Sequence, residues 1–214
     1  MGLGVSSRIL DAASGRGGPA ILLASEFGCR VTCVERAPEF ASAARARVRA
    51  AGLDALVEVV EGDANAFPLE PESFDAALCL GASFVWGGLE GTVAALAPAV
   101  RSGGFVGVGE PYWRSWPLPP GFDPEEGEDF LTLPDTVARF EAGDLNVVSL
   151  IAASRDDWDA YESLHWLALE EWLHDHPDDP DGLAFRERGA RHRERYLRWL
   201  RDLLGWAILI GRRS

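Results

Sequence analysis

Short apolar runs alternate with segments of helical period through the first half of this sequence, and that order leaves few folds open. An apolar run ends at Asp11, a glycine-rich stretch covers residues 12–19, and an apolar segment of helical length continues to Gly28. The further predicted strands cover residues 30–35, 56–61, 74–80 and 105–109. Strands alternating with helices predict a parallel sheet covered on both faces, with right-handed crossovers.

The second half of the chain begins with an irregular segment. Residues 111–133 are rich in proline, glycine and aromatic side chains, and they predict a long excursion over the strand ends. The elements predicted after it are a short helix from Pro134, a strand over 146–153, helices over 155–175 and from Gly182 to about Leu204, and a last strand over 205–211. Ser154 and Asp157 have the spacing of a helix cap.

Two helices are predicted to bury an apolar face. The helix that Pro38 opens has apolar spacing at Phe40, Ala44, Val48 and Ala51. The helix over 155–175 places one group of side chains along a single face: Trp158, Tyr161, His165, Ala168, Leu169 and Trp172. Acidic residues over 156–181 and arginines over 186–201 predict two antiparallel helices with complementary charges along a solvated edge, a basic binding patch being the alternative.

Charge and composition exclude several classes of partner. The 214 residues carry a formal net charge of −14, which opposes binding to a phosphate backbone, so no nucleic-acid partner is expected. No apolar run has membrane-spanning or signal-peptide length, which predicts no membrane partner and a cytoplasmic location. Cys29, Cys33 and Cys79 fit neither a disulfide framework nor a zinc site, so we expect buried reduced thiols and no metal.

Candidate binding residues lie where the first three strands end. In an open α/β sheet, ligands bind in the crevice at the carboxyl ends of the strands. Glycines at 15 and 17 allow close approach of the backbone to a ligand, and Glu35 follows Gly15 by twenty residues, the spacing of a carboxylate that binds ribose hydroxyls. This pattern predicts a nucleoside-containing cofactor. Gly15, Gly17 and Ala20 also fit the dinucleotide fingerprint, so glycine spacing alone leaves NAD open.

Two further carboxylates narrow the choice of cofactor. Asp11, at the end of the first strand, would repel a pyrophosphate and attract an ammonium group. Asp63 follows the third strand, well placed to accept a hydrogen bond from an adenine amino group. A ligand with an ammonium group, a ribose and an adenine but no phosphate is S-adenosylmethionine.

The motifs over 9–17, 34–35, 61–64 and 74–80 resemble the successive motifs of class I S-adenosylmethionine-dependent methyltransferases. The resemblance covers about residues 7–153 and the last strand. It implies an α/β, Rossmann-like mixed sheet of seven strands in the order 3-2-1-4-5-7-6, with the seventh strand antiparallel and helices on both faces. Residues 109–113, 159–162 and 205–206 also resemble a group of small bacterial members whose acceptors are small molecules.

The resemblance also implies a role for each residue of the motifs. Asp11 and the loop of Ala13, Ser14, Gly15 and Gly17 would hold the methionine end of the cofactor. Glu35 would bind the ribose hydroxyls. The Asp63 side chain would bind the adenine N6 amino group, and the Ala64 backbone would bind the adenine edge. The Arg36 guanidinium would stack on the adenine face.

The sequence departs from the family pattern at two places. Ala13 stands where the family usually has glycine, and its effect depends on the local φ angle. About eight residues precede the first strand, where the family normally places one or two helices as a lid. We therefore expect an unusually open site or a cover from another segment or subunit, unless the sequence is part of a longer chain.

The acceptor side is predicted from the segments after the fourth and fifth strands. Trp86, Tyr112 and Trp113 would wall the acceptor pocket, with ordinary packing as the alternative. Glu110 is the first candidate for a general base and His165 the second, although a histidine on such a helix face is often structural. We expect one domain over 1–214, with a cofactor half over 7–110 and an acceptor half over 111–214 that includes a helical insertion over 155–204.

The leading hypothesis is S-adenosylmethionine-dependent methyl transfer to a small-molecule acceptor by in-line displacement. A non-catalytic protein that binds this cofactor is an alternative, which Ala13 and the short N-terminal segment make more credible. An NAD-dependent oxidoreductase is a weaker alternative, disfavoured by Asp11 and Asp63. The oligomeric state stays open, with a homodimer as one option.

Overall fold

The computed structural model describes residues 2–214 and divides the chain into two compact units. Unit 1 comprises the chain up to Glu110 together with Pro134–Ile151 and Ala207–Ser214. Unit 2 comprises Pro111–Leu133 and Ala152–Trp206. The predicted organisation as one domain with two halves stays a prediction.

The elements follow the predicted alternation of strands and helices. The strands are β1 (Arg8–Ala12), β2 (Arg30–Glu35), β3 (Val57–Glu61), β4 (Phe74–Leu80), β5 (Val100–Trp113), β6 (Leu145–Ala152) and β7 (Leu204–Arg213). The helices are α1 (Gly18–Phe27), α2 (Pro38–Ala50), α3 (Leu89–Leu96), α4 (Leu133–Glu141), α5 (Arg155–Asp175) and α6 (Gly182–Arg195). Short 3-10 segments cover Ser83–Trp86 and Ala97–Ala99, and α6 continues as a π-helical turn over Tyr196–Leu200 and a last helical turn over Arg201–Leu203.

The strands form one seven-stranded sheet in the order β3-β2-β1-β4-β5-β7-β6, which confirms the predicted order. The first five strands pair in parallel, with Asp11 of β1 opposite Cys33 of β2. The last strand runs in the opposite direction. The Arg213 guanidinium meets the Val100 carbonyl near the start of β5, whereas the Arg114 N–H, just past the end of β5, donates to the Leu203 carbonyl at 2.8 Å.

Alternate side chains of unit 1 belong to two separate hydrophobic clusters, as expected for a sheet covered on both faces. In β1, Leu10 packs with α3 and α4, through residues such as Leu96 and Phe140. Its neighbour Ile9 packs in the other cluster with α1 and α2, through residues such as Ala24 and Val48. This layering leaves the carboxyl ends of β1, β2 and β3 as the edge where polar side chains gather.

The residues around α1 explain the turn that follows β1. Gly17 adopts a left-handed φ of 70° as the residue before the helix, and proline stands in the first turn of α1, where its missing N–H costs no hydrogen bond. Gly28 ends the helix in the left-handed conformation, and its N–H donates to the Ala24 carbonyl. The predicted cap of α5 is also present: the Ser154 and Asp157 side chains accept each other's backbone N–H groups.

The predicted bounds of strand five, residues 105–109, are wrong. The strand β5 runs from Val100 to Trp113, and its pairing with β4 shifts register between Phe74 and Ala76. Position 104 of this strand requires glycine, because a β-carbon there would stand 2.6 Å from the Asp75 carbonyl oxygen. Gly104 therefore lies inside an irregular part of β5.

The predicted inner face of α5 is rotated from the observed one. The buried residues of α5 are Glu162 and Leu173, and Trp158 and Trp166 pack against the core of unit 2. Tyr161 is 54% exposed and His165 is also exposed. In the described residues no helix, α5 included, combines the length and apolar character needed to cross a membrane.

Candidate functional site

The loop between β1 and α1 is tied to the end of β2 by the Glu35 carboxylate. The Gly15 N–H donates to Glu35 Oε2 at 2.7 Å, and the Ala37 N–H donates to Glu35 Oε1 at 2.8 Å. The Ser14 N–H donates to the Val34 carbonyl at 3.1 Å. Glu35 is buried, yet each carboxylate oxygen keeps a lone pair beyond the backbone bond it accepts. One carboxylate thus holds two loops and retains capacity for a ligand.

The backbone of this loop is left-handed at three alternate positions. The φ angles are 53° at Ala13, 55° at Gly15 and 70° at Gly17. Glycine adopts this conformation freely, whereas alanine is destabilised there by about 1 kcal/mol because its β-carbon approaches the backbone. The local φ that decides the effect of Ala13 is therefore unfavourable to its methyl group.

Asp11 carries a carboxyl group that is almost fully buried, with 1% of its surface exposed. Burial raises the pKa of Asp11 to about 7; a hydrogen bond from the Ala20 backbone opposes this shift, and the nearby charge of Glu35 adds to it. Within the described part of the chain, Asp11 Oδ2 has no hydrogen-bond partner. A buried oxygen without a partner is costly, and it marks a position where a donor from outside the chain would be stabilising.

A cavity of about 400 Å³ in unit 1 opens beside this loop. Six of the predicted cofactor residues line it: Ala13, Gly15, Glu35, Arg36, Asp63 and Ala64. Asp11, Ser14 and Gly17 do not line it; Asp11 and Ser14 are buried, and Gly17 caps α1. Asp63 is exposed, and its Oδ1 accepts the Asn65 N–H at 2.9 Å, which leaves Oδ2 free of any bond to the described residues.

Sequence reasoning missed two aromatic residues of this cavity, Phe40 and Phe84. The prediction that Phe40 belongs to the buried face of α2 is wrong: Phe40 is 42% exposed, while the neighbouring Ala41 is buried in its place. The Arg16 guanidinium lies 5.6 Å from the Phe40 ring centroid. Phe84 is 73% exposed on the 3-10 segment after β4. For Phe40, the available signal was an apolar side chain five residues after Glu35, the acid that ends β2.

Glu110 lies within β5 and Trp86 is the last residue of the 3-10 segment Ser83–Trp86; both belong to unit 1. Burial raises the pKa of Glu110, and an interaction with the Ser83 hydroxyl lowers it by a smaller amount. Glu110 Oε1 is buried without a partner among the described residues. Trp86 is half-buried against the unit 1 core and is not among the residues that line the 400 Å³ cavity.

The other acceptor-side candidates belong to unit 2. Trp113 is 1% exposed and packs between Phe122 and Phe130, with ring centroids 5.6 Å and 5.2 Å away. Tyr112 is buried against Gly205, where an added β-carbon would stand 2.2 Å from the tyrosine ring. Within unit 2 both are core residues rather than open walls. His165 is exposed, with its ring 4.7 Å from that of Tyr161 at a steep angle.

The three cysteines are buried free thiols, as expected. Burial raises the pKa of both Cys33 and Cys79 to about 12. Among residues 2–214, no cluster of three or more histidine, cysteine or carboxylate side chains has the arrangement of a metal site.

Comparison with known proteins assigns this geometry to a family. The family described as a methyltransferase domain matches residues 9–104. An uncharacterised Escherichia coli K12 protein, YjhP, is 32% identical over 206 residues, which cover 94% of this chain and 83% of YjhP.

Solved structures agree with this assignment. A Thiobacillus denitrificans S-adenosylmethionine-dependent methyltransferase, crystallised with S-adenosylhomocysteine, is 32% identical with a TM-score of 0.88, over 99% of this chain and 87% of that one. A Geobacter sulfurreducens S-adenosylmethionine-dependent methyltransferase, also crystallised with S-adenosylhomocysteine, is 31% identical with a TM-score of 0.90, over 100% of this chain and 86% of that one.

The chain therefore belongs to the class I S-adenosylmethionine-dependent methyltransferases, enzymes whose cofactor is S-adenosylmethionine. This membership selects methyl transfer over the NAD-dependent oxidoreductase that glycine spacing alone had left open.

Proposed function

We propose that this enzyme transfers the methyl group of S-adenosylmethionine to a small-molecule acceptor, and that the cavity beside the β1–α1 loop binds the adenosyl part of the cofactor. The observation that carries the proposal is the lining of that cavity. Glu35 and Asp63 present carboxylates around about 400 Å³, with the glycine loop on one side. Carboxylates suit hydroxyl and amino groups and repel phosphates, so this lining favours a nucleoside without a pyrophosphate.

The residues fit the polar groups of that cofactor one by one. The unpartnered Asp11 oxygen, together with the loop of Ala13, Ser14, Gly15 and Gly17, is assigned to the amino-acid end. The Glu35 carboxylate has free lone pairs for the two ribose hydroxyls. The free oxygen of Asp63 is assigned to the adenine amino group and the Ala64 backbone to the adenine edge.

The exposed side chains of the cavity supply faces for a planar base. Arg36 is exposed and lines the cavity, and its guanidinium is assigned to one face of the adenine. Phe40 and Phe84, which line the same cavity, add apolar surface that burial of a base would remove from water.

The cofactor supplies a methyl group on a sulfonium sulfur, which leaves without needing a proton. The protein's part is therefore mainly positioning, and a proton is moved only when the acceptor atom carries one. Glu110 is assigned to accept that proton, because its buried Oε1 has no partner and its raised pKa makes it a stronger base than an exposed glutamate. His165, Trp86, Tyr112 and Trp113 remain predicted acceptor-side residues, and a cytoplasmic location and a homodimer remain predictions.

Calorimetry with S-adenosylhomocysteine tests the cofactor assignment. Glu35→Gln removes the charge and one acceptor oxygen, and we expect an affinity lower by about 10- to 100-fold, the effect of losing a hydrogen bond to a charged group. Glu61→Gln is the matched control, because Glu61 is the register partner of Glu35, is exposed and is paired with Arg45 at 3.3 Å. Because Glu35 also anchors the loop, thermal unfolding of both variants is measured alongside. Equal affinities in folded Glu35→Gln and wild type would contradict the assignment.

The role of Glu110 is tested by the pH dependence of turnover on a panel of small hydroxyl, amine and thiol acceptors. With an acceptor that must lose a proton, the wild-type rate should rise with pH through the raised pKa of Glu110, since only the carboxylate is a base. Glu110→Gln should lower the rate by about 100-fold and remove that rise. A Glu110→Gln variant with an unchanged pH profile would show that Glu110 is not the base.

A further inference from the structure

Unit 2 contains a cavity of its own, of about 450 Å³, between α5 and α6. The two helices pack tightly where Leu169 meets Gly189, since a β-carbon at Gly189 would stand 2.2 Å from a leucine methyl group. The cavity also has aromatic and charged side chains in its lining: Tyr161, Glu162, His165, Phe185, Arg188 and His192. Nothing in the proposed methyl transfer uses this combination except the predicted base His165.

The one carboxylate that lines this cavity already has a partner. Glu162 is 5% exposed, and its Oε2 lies 2.8 Å from His192 Nε2. The pair joins α5 to α6. A buried carboxylate with a histidine at hydrogen-bond distance is satisfied from within the protein, so Glu162 does not require a cation from solution.

Arg188 is the charged group of the cavity that lacks a counterion. No carboxylate among residues 2–214 lies within ion-pair distance of its guanidinium, which instead lies 5.3 Å from the Phe185 ring centroid. Trp172 packs against the same ring at 4.9 Å and 84°. Arg188 is exposed, and its contact with Phe185 places a planar donor group, with free N–H groups, at the wall of the cavity.

The remaining lining offers planar surface and further hydrogen-bonding groups. The Tyr161 and His165 rings meet edge to face at 4.7 Å, and neither the Tyr161 hydroxyl nor the His165 imidazole is hydrogen-bonded to another described residue. A ligand that complements this set has one negative charge for Arg188, a flat apolar body, and a polar substituent within reach of Tyr161 or His165.

We propose that the α5–α6 cavity of unit 2 is a binding site for a planar aromatic carboxylate, separate in its residues from the cavity assigned to the adenosyl group. Arg188 binds the carboxylate through its N–H fork, and the Phe185 and Tyr161 rings contact the aromatic body. Glu162 disfavours ligands of higher negative charge, such as phosphate dianions, because it places a carboxylate in the same cavity.

Equilibrium binding of benzoate to the full chain, without cofactor, tests this site. Benzamide serves as the uncharged planar analogue and inorganic phosphate as the non-aromatic anion. Arg188→Gln should weaken benzoate binding by about tenfold, and benzamide should bind wild type at least about tenfold more weakly than benzoate. Arg193→Gln is the matched control: Arg193 is an exposed arginine of the same helix that does not line the cavity, so its loss should leave benzoate affinity unchanged.

Three results would overturn the proposal. They are no detectable benzoate binding to folded wild type, equal losses in Arg188→Gln and Arg193→Gln, and displacement of benzoate by equal concentrations of phosphate. Circular dichroism of each variant separates a lost site from a lost fold. Because no cofactor is present, none of these results depends on the assignments around Glu35.

Discussion

Asp11 keeps a carboxyl group in the interior of unit 1 with one oxygen unsatisfied by the described chain. Its raised pKa has a direct consequence for stability. The folded protein binds the Asp11 proton up to a pH of about 7, whereas the unfolded chain releases it near the ordinary aspartate pKa of 3.8. Between these values the unfolded state holds fewer protons, so the contribution of Asp11 to the free energy of unfolding falls as pH rises.

We expect Asp11→Asn to become more stable relative to wild type as pH rises from about 4 to about 7, by at most about 1.4 kcal/mol per pH unit. The measurement is the free energy of unfolding by urea, at several pH values, for both proteins. Taking the difference cancels titrations that the two proteins share.

Asp63→Asn serves as the control for this measurement because Asp63 is an exposed strand-end carboxylate. Its difference from wild type should stay nearly constant over the same range. A constant difference for Asp11→Asn would contradict the raised pKa.

Residue-scale prediction located side chains whose position along the chain fixes their place in the sheet, and it failed where only packing decides the location. Carboxylates at strand ends, such as Glu35 and Asp63, were identified because their position along the chain fixes their place at the sheet edge. Phe40 was misplaced because Phe40 and Ala41 both fit a helical apolar period, and only the tight fit of α2 on the sheet selects the smaller side chain. The φ of Ala13 could not be read from its identity.

At the scale of elements, β7 depends on small residues where it crosses bulky neighbours. A β-carbon at Gly211 would stand 2.5 Å from the Phe140 ring and 2.9 Å from Leu145. Phe140 itself is fully buried, so it has little room to move.

Gly211→Ala should therefore destabilise the protein by about 1–3 kcal/mol through overpacking, seen as a lower midpoint of thermal unfolding. Gly62→Ala is the control, because a β-carbon there meets nothing within 4 Å. Its effect should stay within about 0.5 kcal/mol. Equal behaviour of the two variants would show that α4 and β6 yield to the added methyl group.

The alternation of elements was predictable because each strand and helix of unit 1 has its own hydrophobic periodicity and its own terminating residues. The ends of β5 and the orientation of α5 were not. The extension of β5 back to Val100 depends on a register shift against β4, and the burial of Glu162 depends on His192 of α6. Both are contacts between segments far apart in sequence, which local patterns do not encode.

At the scale of the whole chain, negative charge exceeds positive charge by 14. The predicted charge complementarity between residues 156–181 and 186–201 rests on few contacts: within the described residues, Arg201 binds Asp159 at 2.8 Å and His192 contacts Glu162 at 2.8 Å. Arg195 of α6 instead binds Glu125 and Glu128 of the segment after β5. Much of the acidic surface therefore lacks a counterion from the protein.

We expect the midpoint of thermal unfolding to rise as ionic strength increases from about 0.01 M to about 0.15 M, because the screening length falls from about 30 Å to about 8 Å and weakens self-repulsion. Differential scanning calorimetry at fixed pH measures this shift. A midpoint that falls with salt would mean that surface ion pairs such as Arg101–Asp75 outweigh the repulsion.

The two hydrogen bonds accepted by Glu35 order the neighbouring loops in the folded protein, independently of any ligand. Its two oxygens hold the Gly15 and Ala37 amides before any ligand arrives. The entropy of ordering both loops is therefore lost during folding and not during ligand binding. Binding of a ligand should then slow amide hydrogen exchange at Gly15 and Ala37 only slightly. The cavity proposed for the adenosyl group would therefore have its loop geometry in place before the cofactor binds.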